Sequence, residues 1–174
     1  MPKTTLLLIL ILSIMTGCAA KRTTLQTVDY VDLDRYLGKW YEIASYPHRF
    51  QRGCHCTTAT YTMSPKGHII VENRCLKGDT DDKESITTGK AFVQKNSGNA
   101  KLKVQFFWPF RAHYWIIDLA PDYSHVVVSH PSMNYLWILS RTPKMDETLY
   151  NEIIDRLVEM GFDKERVQKT VHCE

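Results

Sequence analysis

The chain has no dense block of lysine and arginine. Its 22 basic and 19 acidic residues leave a formal charge of +3 spread along 174 positions, so a nucleic-acid partner is not expected, while an anionic membrane surface would be tolerated. It has no internal repeat. It also lacks Gly-x-Ser-x-Gly and His-Glu-x-x-His runs, and its seven histidines are scattered, so no nucleophile or hydrolytic metal centre is marked and an enzyme is not expected. Glu42 is the one candidate for a buried acid, with a salt bridge or hydrogen bond at the floor of the fold as its expected role. The apolar run at residues 6–15 is too short for a comfortable transmembrane span.

What that run does have is the layout of an export signal: Lys3 before it and Thr16-Gly17-Cys18 after it. Ending in cysteine, residues 1–17 resemble a bacterial lipoprotein signal, which implies that Cys18 is acylated and becomes the first residue of the mature chain. Met15 departs from the leucine usual in that motif. Three acyl chains would hold the protein firmly on a bilayer, since two lipid signals already suffice. Ala19, in place of aspartate, implies by resemblance to enterobacterial sorting the periplasmic face of the outer membrane. Residues 18–30, polar and Thr-rich, read as the lipidated N-terminus and a tether, and residues 31–174 as one folded domain.

Within that domain, alternating apolar and polar residues mark eight strands near 37–45, 56–63, 68–75, 85–94, 101–107, 112–119, 123–130 and 135–140, separated by Pro- and Gly-containing turns. The regular spacing points to an all-β antiparallel meander. A one-turn helix is expected at 32–36. A second helix is expected from Asp146 and Glu147 to Gly161, with Leu149, Ile153, Ile154, Leu157, Val158 and Met160 on one face. Such a helix docks outside a barrel whose interior is already committed. Residues 167–172 are expected to add a short edge strand.

Two stretches carry a family resemblance. Gly38-x-Trp40, within Tyr-Leu-Gly-Lys-Trp-Tyr-Glu-Ile-Ala, and the late run Trp-Ile-Leu-Ser-Arg-Thr-Pro containing Arg141 resemble the first and third signature blocks of the lipocalins. The middle block appears as Ala120-Pro121-Asp122-Tyr123, without its usual threonine. The resemblance covers residues 31 to the C-terminus and points toward bacterial outer-membrane lipocalins and their apolipoprotein-D-like and plant temperature-induced cousins. It implies an eight-stranded up-and-down barrel with the C-terminal helix packed outside. Gly38, Trp40 and Arg141 would close one end, the guanidinium lying across the indole.

The same resemblance implies that Tyr61, Asn73, Phe106, Tyr114 and Trp137 line a cavity, with Ala59, Val71, Val104 and Ile116 sharing their parity; alternation from Trp137 adds Tyr135 and Leu139. An aromatic and aliphatic wall with few polar handles suits a fatty acid or a lysophospholipid, for storage or transport in envelope maintenance or stress; the alternatives are an enzyme acting on a small lipophilic substrate in the same cavity, or an envelope interaction protein that uses residues 107–110. Arg49, Arg52, Arg111 and His113 would offer charge to its head group. Residues 107–110, Phe-Trp-Pro-Phe, are unusual for a surface loop and are left with three roles: bilayer contact, a lid over the cavity, or a homodimer contact. An exported chain should pair Cys54, Cys56, Cys75 and Cys173, in one of three ways. By resemblance Cys56 pairs with Cys173, leaving Cys54 for Cys75, with Cys56–Cys75 as the alternative. Cys54-His55-Cys56 with Cys75 also has metal-ligating chemistry, but export favours disulfides and neither a metal nor a cofactor is expected.

Overall fold

The computed structural model describes residues 25–78 and 83–173; the export signal and Cys18 lie outside them. Its elements in order are α1 (Leu33–Tyr36), β1 (Gly38–Ser45), β2 (Cys54–Met63), β3 (Ile69–Lys77), β4 (Lys83–Val93), β5 (Lys101–Gln105), β6 (Ala112–Leu119), β7 (His125–Ser129), β8 (Leu136–Ser140), α2 (Glu147–Glu159) and β9 (Gln168–Lys169). Each strand from β1 to β7 pairs antiparallel with the next, and β1 pairs with both β2 and β8. The sheet therefore closes on itself as an eight-stranded up-and-down barrel, which removes the unpaired edges an open sheet would leave. β1 divides its length: Gly38 to Tyr41 face β2, whereas Tyr41 to Ser45 face β8. Where β2 has diverged, β9 takes its place beside Ala44 and Ser45.

Parity sorts the apolar side chains into two cores. One fills the barrel and includes Trp40, Tyr61, Val71, Leu102, Val104, Ile116, Val126, Val128 and Leu139. The other, with Ile43, Ile117, Val127 and Ile138, lies outside beneath Ile153 and Leu157 of α2. Asp146 caps α2 by accepting from the Thr148 and Leu149 N–H groups, and Gly161, with φ at +94°, ends it. Val158, expected on the packed face, is 46% exposed; the buried stripe is carried by Ile153 and Leu157, and the next residue round the helix turns away from it. Arg156 Nη2 meets Asp118 Oδ2 at 2.8 Å across the helix–barrel seam.

Residues 25–30, expected as tether, are partly fold. The Val28 N–H donates to the Ile116 carbonyl at 3.0 Å and the Val31 N–H to the Gly98 carbonyl at 2.7 Å. Gly98, with φ at +55°, allows this approach, because a Cβ there would collide with the Asp29 carbonyl. Two disulfides brace the other side, Cys54–Cys75 across β2 and β3 and Cys56–Cys173 from β2 to the tail. The second spans 117 residues, a loop whose closure stabilises by about 4–5 kcal/mol in the chain-entropy model.

One end is sealed around Arg141, which lies just past β8. Its guanidinium carbon sits 3.7 Å from the Trp40 ring centroid. Nη1 donates to the Lys39 carbonyl at 2.9 Å, and Nη2 reaches the Arg35, Tyr36 and Leu37 carbonyls at 2.6, 3.1 and 3.0 Å. These include carbonyls that the end of α1 leaves without helical partners. The indole N–H also donates to the Tyr36 carbonyl, at 2.8 Å. Tyr123 completes the seal: its hydroxyl accepts from the Asp32 N–H at 2.8 Å while Arg35 lies 4.0 Å above its ring.

A lysine has no planar fork to span these carbonyls while lying flat on the indole. Arg141→Lys is therefore expected to lower stability by roughly 1–3 kcal/mol, read as a lower urea midpoint with an unchanged slope; an unaltered midpoint would contradict the seal.

Candidate ligand-binding site

With one end sealed, access to the lumen among the described residues runs past the loops at 46–53, 106–111 and 130–135, which lie at the other end by strand direction. Inward-facing side chains show a gradient between the two. Trp40, Ile116, Val126 and Val128 have no exposed surface, whereas Ala59, Phe106, Tyr114 and Trp137, packed against the same core, are only half-buried. Tyr114 is the informative member. Burial pushes its hydroxyl well above the ordinary tyrosine range, yet its side chain keeps accessible surface. Deeply desolvated yet half-buried, it stands where the packed core gives way toward the open end.

Three phenols form the polar part of that lumen. The Tyr114 hydroxyl lies 2.6 Å from that of Tyr36 and 2.9 Å from that of Tyr61. Desolvation raises all three above the usual range, Tyr61 to about 12, so the cluster is neutral at physiological pH. Asn73 pairs across the sheet with Ala59 and shares the inward parity of Val71. Its amide makes no hydrogen bond among the described residues, leaving it free for a ligand group. Phe106 falls one residue beyond β5 yet still packs inward. Gly89 makes room for it, since a Cβ there would come within 2.7 Å of the Phe106 ring.

At the rim, Tyr135 precedes β8 and is 38% exposed, so it stands at the mouth and not inside, stacked on Trp137 with centroids 6.1 Å apart. His48 meets Trp137 at 5.4 Å, and burial pushes its imidazole below the ordinary histidine range. His113 faces outward against Trp115, away from the head-group position expected for it. Arg49 and Arg52 are exposed beside a lateral cavity of about 410 Å³ between β1, β2 and the C-terminal tail. That cavity lies at the side of the mouth, outside the barrel core.

Glu42 also lines this lateral cavity, which corrects its expected place at the floor. β1 carries a bulge between Glu42 and Ala44, and a bulge re-aims side chains. The carboxylate accepts from Ser45 Oγ at 3.0 Å, Thr170 Oγ1 at 2.8 Å and Gln51 Nε2 at 2.7 Å. Gln51 in turn accepts from Trp137 Nε1 at 3.2 Å, tying the lumen wall to the mouth loop. Neither this relay nor Tyr36 could be found from strand parity, because Gln51 and Tyr36 sit on turns of helix to which alternation does not apply. His55 lies near the Cys56 and Cys173 sulfurs, but those sulfurs are bonded to each other and offer no thiolate to a metal.

A closed barrel with one plugged end, one open end and an aromatic lumen defines a small-molecule-binding cup. The family model described as a lipocalin-like domain matches residues 31–172, and the chain belongs to the lipocalins. It is 38% identical over 159 residues to temperature-induced lipocalin-1 of Arabidopsis thaliana, covering 86% of this chain and 84% of that one. It is 38% identical over 164 residues to the outer membrane lipoprotein Blc of Vibrio cholerae, covering 92% and 94%. With apolipoprotein D of Bos taurus the identity is 31% over 153 residues, covering 82% and 78%. Among solved structures, insecticyanin from the tobacco hornworm Manduca sexta aligns with a TM-score of 0.67 at 20% identity over 86% of this chain and 85% of its own, a likeness of fold.

The tyrosine cluster gives a pH signature. A phenol whose folded pKa is raised holds its proton when the unfolded chain has lost it, so the stabilisation is complete below about pH 10 and is lost as pH rises through the folded value. Tyr61 places the loss between about 10 and 12. Phenolate absorbance of Tyr36, Tyr61 and Tyr114 is expected to appear together with alkaline unfolding, and a Tyr114→Phe variant should release less of it in that step. Full ionisation of all tyrosines in a still-folded protein would contradict the buried cluster.

Proposed function

We infer that this lipocalin is an outer-membrane lipoprotein, anchored through acylated Cys18, which binds a fatty acid or lysophospholipid in its barrel and stores or carries it within the envelope. The observation that carries the reading is the half-buried, inward-facing set of Ala59, Phe106, Tyr114 and Trp137 above a sealed floor. Such a lumen accepts an acyl chain lengthwise, each buried methylene contributing about 0.8 kcal/mol. Tyr61, Asn73 and Tyr114 supply the few polar contacts, Tyr135 and Trp137 flank the entry, and Arg49 and Arg52 stand where a phosphate or carboxylate would remain in water. The Blc relatives are named outer membrane lipoproteins, which supports the location, and the Cys18 motif and Ala19 support the anchor and the periplasmic face. The lumen hydroxyls of Tyr36, Tyr61 and Tyr114 bond to one another, and the reading is of a carrier.

Native mass spectrometry with lipid extraction tests the ligand. Protein from an oxidising compartment is expected to carry or take up one fatty acid or lysophospholipid, and protein that stays empty with added lysolipid would sink the reading. Trp137→Ala should weaken acyl-chain binding about tenfold or more, the effect of losing ~1.4 kcal/mol of contact, in a barrel that still folds, as its β-sheet circular dichroism and cooperative unfolding would show.

A further inference from the structure

The β5–β6 loop is not explained by the lumen. Phe107 is 69% exposed, Trp108 86% and Phe110 77%, so the rings do not form a lid over the cavity. Three large apolar side chains held in water within four residues mark a contact surface. Phe106, the residue before them, packs inside the barrel, so one short loop has one ring in the lumen and three outside it.

Beside the loop the outer wall is basic. With Ala91, Leu102 and Val104 buried in the barrel core, alternation turns Lys90, Lys101 and Lys103 outward. Arg111 lies 4.2 Å over the outward Phe92 ring. None of these four cations is in an ion pair among the described residues. The β3–β4 connection, by contrast, contains Asp79, Asp81 and Asp82, which favours the β5–β6 edge over the whole rim as the contact.

The N-terminal segment leads to the same side. Read backwards, it leaves the sealed end at Val31, which is bonded to Gly98, and rises to Val28, bonded to Ile116 of β6. Leu25 then packs, as does Trp115, against the outer core. Six residues, 19–24, separate Leu25 from Cys18, and a chain of that length reaches at most about 25 Å. From Ile116 to the loop end of β6 is four residues, about 13 Å of strand. The anchor can therefore reach the plane of the exposed rings.

We propose that the β5–β6 edge docks on the anionic bilayer surface that holds the anchor. Phe107, Trp108 and Phe110 enter the interfacial layer, where amphipathic aromatic rings are favoured, and Lys90, Lys103 and Arg111 meet anionic head groups. The mouth then opens beside the lipid, and an acyl chain passes between bilayer and lumen along Phe106 and Phe107. This attitude rests on the lipid-binding reading only for what is exchanged, and on the Cys18 anchor for which surface is met.

Bromine-labelled phospholipid tests it. The acylated full-length protein is reconstituted into phosphatidylethanolamine–phosphatidylglycerol vesicles whose acyl chains carry bromine, a contact quencher of indole emission. The bromolipid is expected to quench a component of the emission that Trp108→Phe removes, and charge reversal at Arg111 should reduce that quenching severalfold. Equal quenching in the wild type and Trp108→Phe would overturn the proposal. So would a dimer in solution that Phe107→Ser disperses while Trp108 remains unquenched, an outcome that assigns the loop to a second copy. A barrel loaded with lysolipid but with Trp108 unquenched fails docking alone; a quenched Trp108 over an empty barrel fails the binding reading alone.

Discussion

The contact between Arg141 and Trp40 makes this barrel a cup. Closing eight strands produces a tube, and a tube open at both ends would flood its apolar lining. One guanidinium covers the indole and takes carbonyls from Arg35 to Lys39, so the chain entering the first strand is fastened to the residue leaving the last. The constraint is mutual: α1 leaves carbonyls without partners, and the arginine needs acceptors if it is to be half-buried. With that end sealed, the polar phenol cluster lies above the floor, and among the described residues the way in is past the mouth loops.

Closure also decides what the rest of the chain can do. Once the interior is committed, α2 has to dock outside, where Ile153 and Leu157 cover the second core. The strand that closes the barrel gives half its length to each neighbour, and the wedge left where β1 and β2 part is filled by β9 and the disulfide-tied tail. Glu42 is held there by three neutral donors, one of them Gln51, which also receives the Trp137 indole N–H. The mouth is therefore braced on the β1–β2 side, whereas on the opposite side the β5–β6 loop stands out with its rings exposed.

The strands, the outer helix and the inward parity of Trp137 and Tyr61 were legible because a period of two and an amphipathic stripe are local properties of sequence. Boundaries slipped where local irregularity intervenes: β2 starts at Cys54, past a register shift beside a positive-φ Cys56, and Tyr135 stands ahead of its strand at the rim. Glu42 was misplaced because its partners, Gln51 and Thr170, come from a helical turn and the C-terminal tail, which strand alternation does not reach. Tyr36 and Gln51 escaped notice because their segments are short helical turns without alternation. Half of the expected tether proved to be docked, a contact that depends on a glycine in a distant turn.

Taken alone, the sequence determined the all-β class, the order of the strands, which faces are apolar and the Gly-x-Trp and Arg positions that define the family. These follow from periodicity and short motifs, which need no partner to be read. The tertiary structure decided how far the lumen is filled, which hydroxyls meet at Tyr114, where Glu42 and His113 point, and on which side the N-terminal segment climbs. Those depend on distances between residues far apart in the chain, set only when the sheet closes and each strand acquires both of its neighbours.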